Sequence, residues 1–134
     1  MRIFLSIKFW GEGDLRNQKD VRKIINIIDS LGHETFCIVE HAENWGEKSF
    51  SPEQLMKMTF SEIEISDLLI ANVAHWPIGV GVEVGYAAAK GIPIICICPQ
   101  DMKLANTVAG VAETVIRYSN YPDLRKKLMI SLAE

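Results

Sequence analysis

The sequence lacks any apolar run long enough to span a bilayer, and its first residues lack the apolar core of a signal peptide. Its three cysteines are too few, and odd in number, for a disulfide framework. It also lacks an excess of basic residues, since 14 Lys and Arg stand against 17 Asp and Glu for a net charge of −3. This balance argues against a nucleic-acid-binding surface. We therefore expect a soluble cytoplasmic protein with no membrane partner and no nucleic-acid partner.

What the sequence does have is the composition of a folded domain. Of its 134 residues, 49% are apolar and 23% are charged, which is too apolar for a disordered chain. No repeat, low-complexity tract or linker interrupts it. We expect residues 1–134 to form a single domain.

Short apolar runs alternate with segments of helical periodicity along the chain. The runs predict five β-strands, at residues 2–7, 34–39, 67–73, 92–98 and 113–118. The periodic segments predict five helices, at residues 19–31, 52–65, 79–90, 104–112 and 121–132. This alternation is typical of a parallel sheet, and right-handed crossovers leave 2-1-3-4-5 as the simplest strand order. The prediction is a three-layer α/β fold, flavodoxin-like or Rossmann-like, around a five-stranded parallel sheet.

The predicted strand order also predicts where a ligand binds. In open parallel sheets, ligands bind beyond the carboxyl ends of the strands, where the winding direction reverses. Here that crevice lies between the ends of the first and third strands. The loops that follow Ile7 and Val73 are therefore expected to form its floor.

The start of the predicted third helix carries the most informative residues. Gly79 and Gly81 allow the backbone to approach a ligand, and the free N–H groups of a helix start favour an anion such as phosphate. Glu83 lies about one turn into this helix, where the helix dipole favours the ionised carboxylate. A carboxylate at the mouth of a crevice can act as a nucleophile or general base. The alternative is that Glu83 only compensates the helix dipole.

Three segments carry a resemblance to a known family. Ser66–Val73 reads SDLLIANV, Gly79–Ala87 reads GVGVEVGYA and Gly91–Ile94 reads GIPI. Together they resemble the nucleoside 2-deoxyribosyltransferase superfamily, which includes deoxynucleoside 5′-monophosphate N-glycosidases and shows a Gly-x-Gly-x-Glu-x-Gly-Tyr-Ala block. The match is contiguous from about Asp67 to Ile97, and Val39–Ala42 is similar to the family's Thr-Glu-His-Val.

The resemblance implies an enzyme that cleaves or transfers at the N-glycosidic bond of a (deoxy)nucleoside or nucleoside 5′-monophosphate, without a cofactor or a metal. Glu83 corresponds to the family's nucleophile, which forms a glycosyl-enzyme ester as the base departs. Gly79 and Gly81 would lie beside the sugar and any 5′-phosphate, and Ser6 or a neighbour would cover the substrate from the first strand. A homodimer or higher homo-oligomer is implied as well, since a residue of a neighbouring subunit closes the family's site. Asn106 is the positional match for that residue.

The sequence departs from the family at three positions, one of which is the glycine that usually ends the first strand and is missing here. The family's Asp that handles the leaving base is replaced by Thr59, and the polar residue before the Gly-x-Gly is replaced by Pro77. One interpretation is that another group substitutes, with His75, Asp14 and Glu12 as candidates on predicted rim loops. A second interpretation is a non-catalytic module that binds a nucleotide or nucleotide-sugar. A third, a flavodoxin- or receiver-like domain, is disfavoured because neither a flavin phosphate loop nor an acidic cluster follows the first strand.

Other candidate residues each have two interpretations. His75 titrates near neutrality and could protonate a leaving base, or it is a solvated loop residue. Trp10 could stack on a nucleobase, or it has a structural role, either as an anchor for its loop or in a dimer contact. The Cys96-x-Cys98 pair points to one face of a strand with no further ligands nearby, which favours core packing over a metal site.

Overall fold

The computed structural model describes residues 1–8, 15–74 and 78–133, and the side chains of all of these except residues 15–17. Within these ranges the strands are Arg2–Ser6 (β1), Glu34–Phe36 (β2), Leu68–Asn72 (β3), Ile94–Pro99 (β4) and Thr114–Tyr118 (β5). The α-helices are Leu15–Ser30 (α1), Pro52–Glu64 (α2), Ile78–Ala89 (α3), Asn106–Val111 (α4) and Tyr121–Ser131 (α5). A π-helix, Ile38–Ala42, lies between β2 and α2.

The five strands form one parallel sheet in the order β2-β1-β3-β4-β5. In the pairing of β1 with β3, Ser6 lies opposite Ala71 at the carboxyl end. All five residues of β3 are buried, as expected for a central parallel strand covered on both faces. The predicted fold class and strand order are confirmed.

Each face of the sheet carries its own hydrophobic cluster. Successive side chains of a strand point to opposite faces, so Leu5 packs with Ile24 of α1 on one face. Its neighbour Phe4 packs on the other face with Val84 of α3. The first cluster also includes α5, and the second includes α2. Helices thus cover both faces, which confirms the three-layer architecture.

The cysteines belong to this core. All three are buried and free, and Cys96 and Cys98 both lie in the cluster formed with α2 and α3. The core-packing interpretation of the Cys96-x-Cys98 spacing is confirmed.

Helix α2, which forms one wall of the site described below, begins at a capping box. The hydroxyl of Ser51 accepts a hydrogen bond from the Gln54 backbone N–H, and the Gln54 side chain accepts one from the Ser51 backbone N–H, both at 3.1 Å. This capping box and Pro52 at the first helical position start α2 where the sequence predicts it. At the end of α1, Gly32 has a φ of +90°, the left-handed conformation that glycine adopts most easily.

The second strand is shorter than predicted, because residues 38 and 39 belong to the π-helix instead. The backbone N–H of Cys37 donates to Nδ1 of His41 at 2.9 Å, and the His41 N–H donates to the Cys37 carbonyl at 2.8 Å. Since β2 is an edge strand, no further strand competes for these groups. The chain therefore turns after Phe36.

Two smaller observations concern the helices. The first helix begins at Leu15, earlier than the predicted residue 19, because hydrophobic periodicity marks only the part of a helix that packs on the sheet. Among the described residues, no helix is both long and apolar enough to cross a bilayer.

Candidate active site

A cavity of about 400 Å³ opens at the carboxyl end of β1, between the segment that follows β2 and helices α2 and α3. The residues that line it are Leu5, Ile7, Cys37, Ile38, Val39, Glu43, Gly46, Leu55, Met56, Thr59, Gly79 and Glu83. We call it the Glu83 cavity. Its wall is largely aliphatic, which suits a flat apolar group such as a heterocyclic base.

The cavity lies on the β2 side of β1, whereas the sequence predicted a crevice between β1 and β3. A second cavity of about 460 Å³ does lie between the ends of β1 and β3, and Lys8 and Asn72 line it. Ile7 lines both cavities. In their described parts, the loops that the sequence predicts as the floor line this second cavity, through Lys8 and Ala74, and not the Glu83 cavity.

Glu83 is held in its cavity by Ser6. The Ser6 hydroxyl donates a hydrogen bond to Oε1 of Glu83 at 2.6 Å. Ser6 ends β1 and is only 1% exposed, while Glu83 lies on the second turn of α3 and is partly buried. The contact joins a strand end to a helix start, as the topology predicts for a functional site.

Burial raises the pKa of Glu83 from 4.5 to about 7, and the hydrogen bond from Ser6 opposes the rise. The direction is opposite to that expected from the helix dipole, because withdrawal from water outweighs the dipole at this position. No ion pair joins Glu83 to any residue within the described ranges. Near neutral pH the carboxyl group is thus poised between its two protonation states.

Thr59, which the resemblance places where the family has an Asp, also lines the Glu83 cavity. It is 2% exposed, and its hydroxyl donates to the Leu55 carbonyl one turn earlier at 2.7 Å. This position therefore faces the site, but its hydroxyl proton is already engaged with the helix backbone.

Sequence reasoning missed Glu43, a second carboxyl group in the Glu83 cavity. It directly follows the π-helix, and burial raises its pKa. The similarity of Val39–Ala42 to a family motif was a signal that this segment matters. The motif ends at Ala42, one residue before Glu43. The sequence also predicted a strand in part of the segment that forms the π-helix.

The two glycines of the predicted site are separated by the helix. Gly79 lines the Glu83 cavity, and Gly81 lines a smaller cavity of about 180 Å³ that faces the start of α4. The reason is helical geometry, since residues 79 and 83 are four apart and share a face. A Cβ added at either glycine would meet no protein atom within 4 Å, so packing does not require glycine at these positions.

The remaining predicted residues lie outside this cavity or outside the described ranges. Asn106 is exposed at the start of α4 and does not line the Glu83 cavity. Trp10, Glu12, Asp14 and His75 lie outside the described residues, so their roles stay predictions. In the part of the chain that the structure describes, no group of three His, Cys, Asp or Glu side chains could hold a metal ion.

Among the curated relatives that cover most of this chain, two that are at least 30% identical carry the name "Putative 2′-deoxynucleoside 5′-phosphate N-hydrolase 1". The one from Methanococcoides burtonii is 32% identical over 123 residues, which are 84% of this chain and 96% of the relative. The one from Methanosarcina mazei is 30% identical over 123 residues, 90% of this chain and 75% of the relative. A scan against models of protein families gives no match.

Solved structures share the fold. The CMP N-glycosidase of Clostridium botulinum superposes with a TM-score of 0.72 over 97% of this chain and 99% of its own, at 23% identity. A 2-deoxyribosyltransferase of Bacillus psychrosaccharolyticus superposes with a TM-score of 0.75 over 93% and 90%, at 20% identity. Because these structures are less than 25% identical to this chain, they support only the fold. Membership in a family rests on the curated relatives. The chain belongs to the nucleoside 2-deoxyribosyltransferase superfamily, beside relatives named for N-hydrolysis of 2′-deoxynucleoside 5′-phosphates.

Proposed function

We propose that this protein cleaves the N-glycosidic bond of a 2′-deoxynucleoside 5′-monophosphate, with Glu83 as the nucleophile. The observation that carries the proposal is the position of the Glu83 carboxyl group. It lies in a cavity at the carboxyl end of β1, bonded to Ser6 and not neutralised by an ion pair with any described residue. The names of the relatives supply the substrate class.

The reaction needs the ionised form of Glu83. The carboxylate attacks C1′ of the sugar, the bond from C1′ to the base breaks, and its electron pair leaves with the base. The product of this step is an ester between C1′ and Glu83. Water then hydrolyses the ester and releases 2-deoxyribose 5-phosphate, whereas attack by a second base would complete a transfer.

The hydrogen bond from Ser6 supports this role in two ways. A hydrogen bond donated to a carboxylate favours the ionised form, so it opposes the effect of burial on the pKa of Glu83. Since the Ser6 hydroxyl donates to Oε1 of Glu83, it also restricts rotation of the carboxyl group and leaves Oε2 for the attack. Both effects favour a positioned nucleophile.

The site also offers surfaces that suit the base and the 5′-phosphate of the substrate. The aliphatic wall of the Glu83 cavity, including Ile38, Val39 and Leu55, suits the base. Gly79 lies at the second position of α3, and the first N–H groups of a helix have no partner within the helix. We place the 5′-phosphate near these groups, because the N-terminal end of a helix favours an anion.

We also propose that the chain self-associates. Helix α3 exposes Ile78 and Val82, whose exposed fractions are 87% and 46%, and contact with a second copy would remove this apolar surface from water. Asn106 lies outside the Glu83 cavity of its own chain, consistent with the implied role across a subunit contact. Light scattering after size-exclusion chromatography tests this point, and a fully active monomer at assay concentration would contradict it.

The direct test measures free base by chromatography after incubation with the four 2′-deoxynucleoside 5′-monophosphates and the matching nucleosides, with and without an acceptor base. We expect release from at least one monophosphate and a loss of more than about 1,000-fold in Glu83→Gln. Mass spectrometry of rapidly quenched enzyme should show a sugar phosphate adduct on the peptide that contains Glu83. Absence of free base from every substrate at high enzyme concentration would reject the proposal.

One observation favours a second function, a nucleotide-binding module without turnover. The Thr59 hydroxyl cannot protonate a leaving base, because a hydroxyl is a much weaker acid than a carboxyl group. Its proton is also engaged in a hydrogen bond to the Leu55 carbonyl. For this function, nucleotides would raise the melting temperature without being consumed. The same incubations therefore decide between the two functions.

A further inference from the structure

Glu43 is the other carboxyl group that lines the Glu83 cavity, among the residues that the structure describes. Cleavage of an N-glycosidic bond leaves negative charge on the base, and an acid within reach of the base lowers the barrier by protonating it. The proposed reaction therefore needs a group in this cavity that can donate a proton to the base.

The backbone around Glu43 is held at several points. Its N–H donates to the Ile38 carbonyl at 2.9 Å, and its carbonyl accepts from the Lys48 N–H at 2.9 Å. The next residues, Asn44 and Trp45, have φ values of +46° and +59°, a left-handed conformation that is uncommon for residues other than glycine. Such conformations persist where the surrounding structure imposes them, and they are frequent at functional sites. Glu43 thus projects from a defined turn.

The Glu43 carboxyl group makes no hydrogen bond or ion pair with another residue in the described ranges. Burial alone raises its pKa, so the group keeps a proton more readily than a solvated Glu. A partly buried carboxyl group that no described residue engages is available to a ligand in the cavity.

Among the described residues, the other polar side chains of the cavity are unsuited to this role. The Cys37 thiol has a pKa raised to about 12, mainly by burial and further by the charges of Glu83 and Glu43. It therefore keeps its proton, although it lines the same cavity as both carboxyl groups. The Thr59 hydroxyl is bonded to the helix backbone, and Glu83 must be ionised to attack.

We propose that Glu43 is the catalytic acid that protonates the leaving base, a role that rests on the proposed reaction at Glu83. As the bond from C1′ to the base breaks, the carboxyl proton of Glu43 passes to a ring nitrogen or oxygen of the base. Glu43 becomes a carboxylate. In the second step it takes a proton from the water that attacks the C1′ ester, which frees Glu83 and restores the acid. Water is the only co-reactant, and each proton is accounted for.

The test compares two leaving groups in Glu43→Gln. With the monophosphate that the wild type cleaves fastest, we expect kcat/KM to fall about 100- to 10,000-fold, because the base must leave unprotonated. With 4-nitrophenyl 2-deoxyriboside 5-phosphate, whose leaving group needs no proton, the first step should stay within about threefold of the wild type. Hydrolysis of the ester should be slow, so nitrophenolate should appear in a burst while the Glu83 adduct accumulates.

The pH profile gives a second, independent measurement. With the natural substrate, kcat/KM of the wild type should decline at high pH, as the proton to be donated is lost. In Glu43→Gln the rate should instead rise to a plateau, set only by the ionisation of Glu83. Glu43→Asp should recover part of the activity.

The matched control is Glu47→Gln. Glu47 lies in the same turn but is exposed and does not line the cavity, so its loss should change neither substrate's kinetics. If Glu43→Gln behaves as the wild type, or slows both substrates equally with an unchanged pH profile, the role of Glu43 is wrong. If wild type releases no base at all, the proposed function itself fails, which is a different result.

Discussion

The hydroxyl of Ser6 donates a hydrogen bond of 2.6 Å to Oε1 of Glu83, and this contact joins residues 77 apart in the sequence. It connects the carboxyl end of β1 to the second turn of α3. Since no ion pair with a described residue neutralises Glu83, this hydroxyl is the group that opposes the effect of burial on its pKa. The contact therefore favours the ionised form of the proposed nucleophile, against the larger effect of burial.

Removal of this hydroxyl should raise the pKa of Glu83. With 4-nitrophenyl 2-deoxyriboside 5-phosphate, we expect the rate of the wild type to rise with pH around a midpoint near 7, where Glu83 ionises. In Ser6→Ala the midpoint should lie about one pH unit higher, because the hydrogen bond that favours the carboxylate is lost. Ser66→Ala is the control, since Ser66 is also buried but its hydroxyl donates to the Glu62 carbonyl. An unchanged midpoint in Ser6→Ala would contradict this explanation.

Burial of Glu83 should make stability depend on pH. Its pKa in the folded state, about 7, lies above the reference value of 4.5. Its contribution is therefore fully present below pH 4.5 and is lost as the pH rises to 7. Glu83→Gln carries no such loss, so its free energy of unfolding should exceed that of the wild type at pH 8 by roughly 1 to 3 kcal/mol more than at pH 4.5.

Urea denaturation at the two pH values measures this difference. Glu113→Gln is the control, since Glu113 is exposed and its substitution should change stability equally at both. If the free energies of unfolding of Glu83→Gln and the wild type differ by the same amount at both pH values, Glu83 is solvated.

Gly79 should be required for binding and not for folding. A Cβ at this position meets no protein atom within 4 Å, so Gly79→Ala should fold with unchanged or slightly higher stability. If the 5′-phosphate approaches the backbone here, the methyl group should raise KM for the monophosphate about tenfold or more, and less for the nucleoside.

Gly85→Ala provides the comparison on the same helix. Gly85 is also free of atoms within 4 Å of an added Cβ, but it lies outside the Glu83 cavity. Its substitution should stabilise the helix by up to about 1 kcal/mol without changing KM. Equal effects of the two substitutions on KM would show that the phosphate does not bind at Gly79.

A carboxyl group at position 59 should partly replace Glu43. Thr59 lines the same cavity as Glu43 and Glu83, and a buried Asp would favour the protonated form that can donate. We expect Thr59→Asp to raise kcat/KM of Glu43→Gln at least about tenfold, at some cost in melting temperature because a buried hydrogen bond is lost. Thr59→Asn, which has the same shape but no acidic proton, should give no recovery. Equal recovery by both variants would contradict the acid role.

Some parts of the site could be predicted from the sequence. The Gly-x-Gly-x-Glu spacing indicated a helix start, and the strand order placed that start beside the end of β1, where Ser6 and Glu83 meet. The separation of Gly79 from Gly81 was also accessible, because residues two apart on a helix face nearly opposite sides. The family resemblance instead implied that both glycines lie beside the sugar.

Glu43 could not be found in this way. Its position depends on the π-helix at Ile38–Ala42 and on the left-handed turn that follows, and neither has a periodic hydrophobic pattern. The hydrogen bonds between Cys37 and His41 draw the chain out of the expected strand. Such contacts depend on geometry that composition and spacing do not encode.

The amino-acid sequence by itself determined the alternation of strands and helices, the parallel sheet with its strand order, and the placement of a carboxylate at the start of α3. These follow from hydrophobic periodicity, helix caps and chirality, which act over short distances along the chain. Only the tertiary structure decided that Glu83 is bonded to Ser6 with a raised pKa, that Thr59 faces the same cavity, and that Glu43 supplies its second carboxyl group. Burial and the convergence of side chains from distant segments depend on how the layers pack, which no local pattern records.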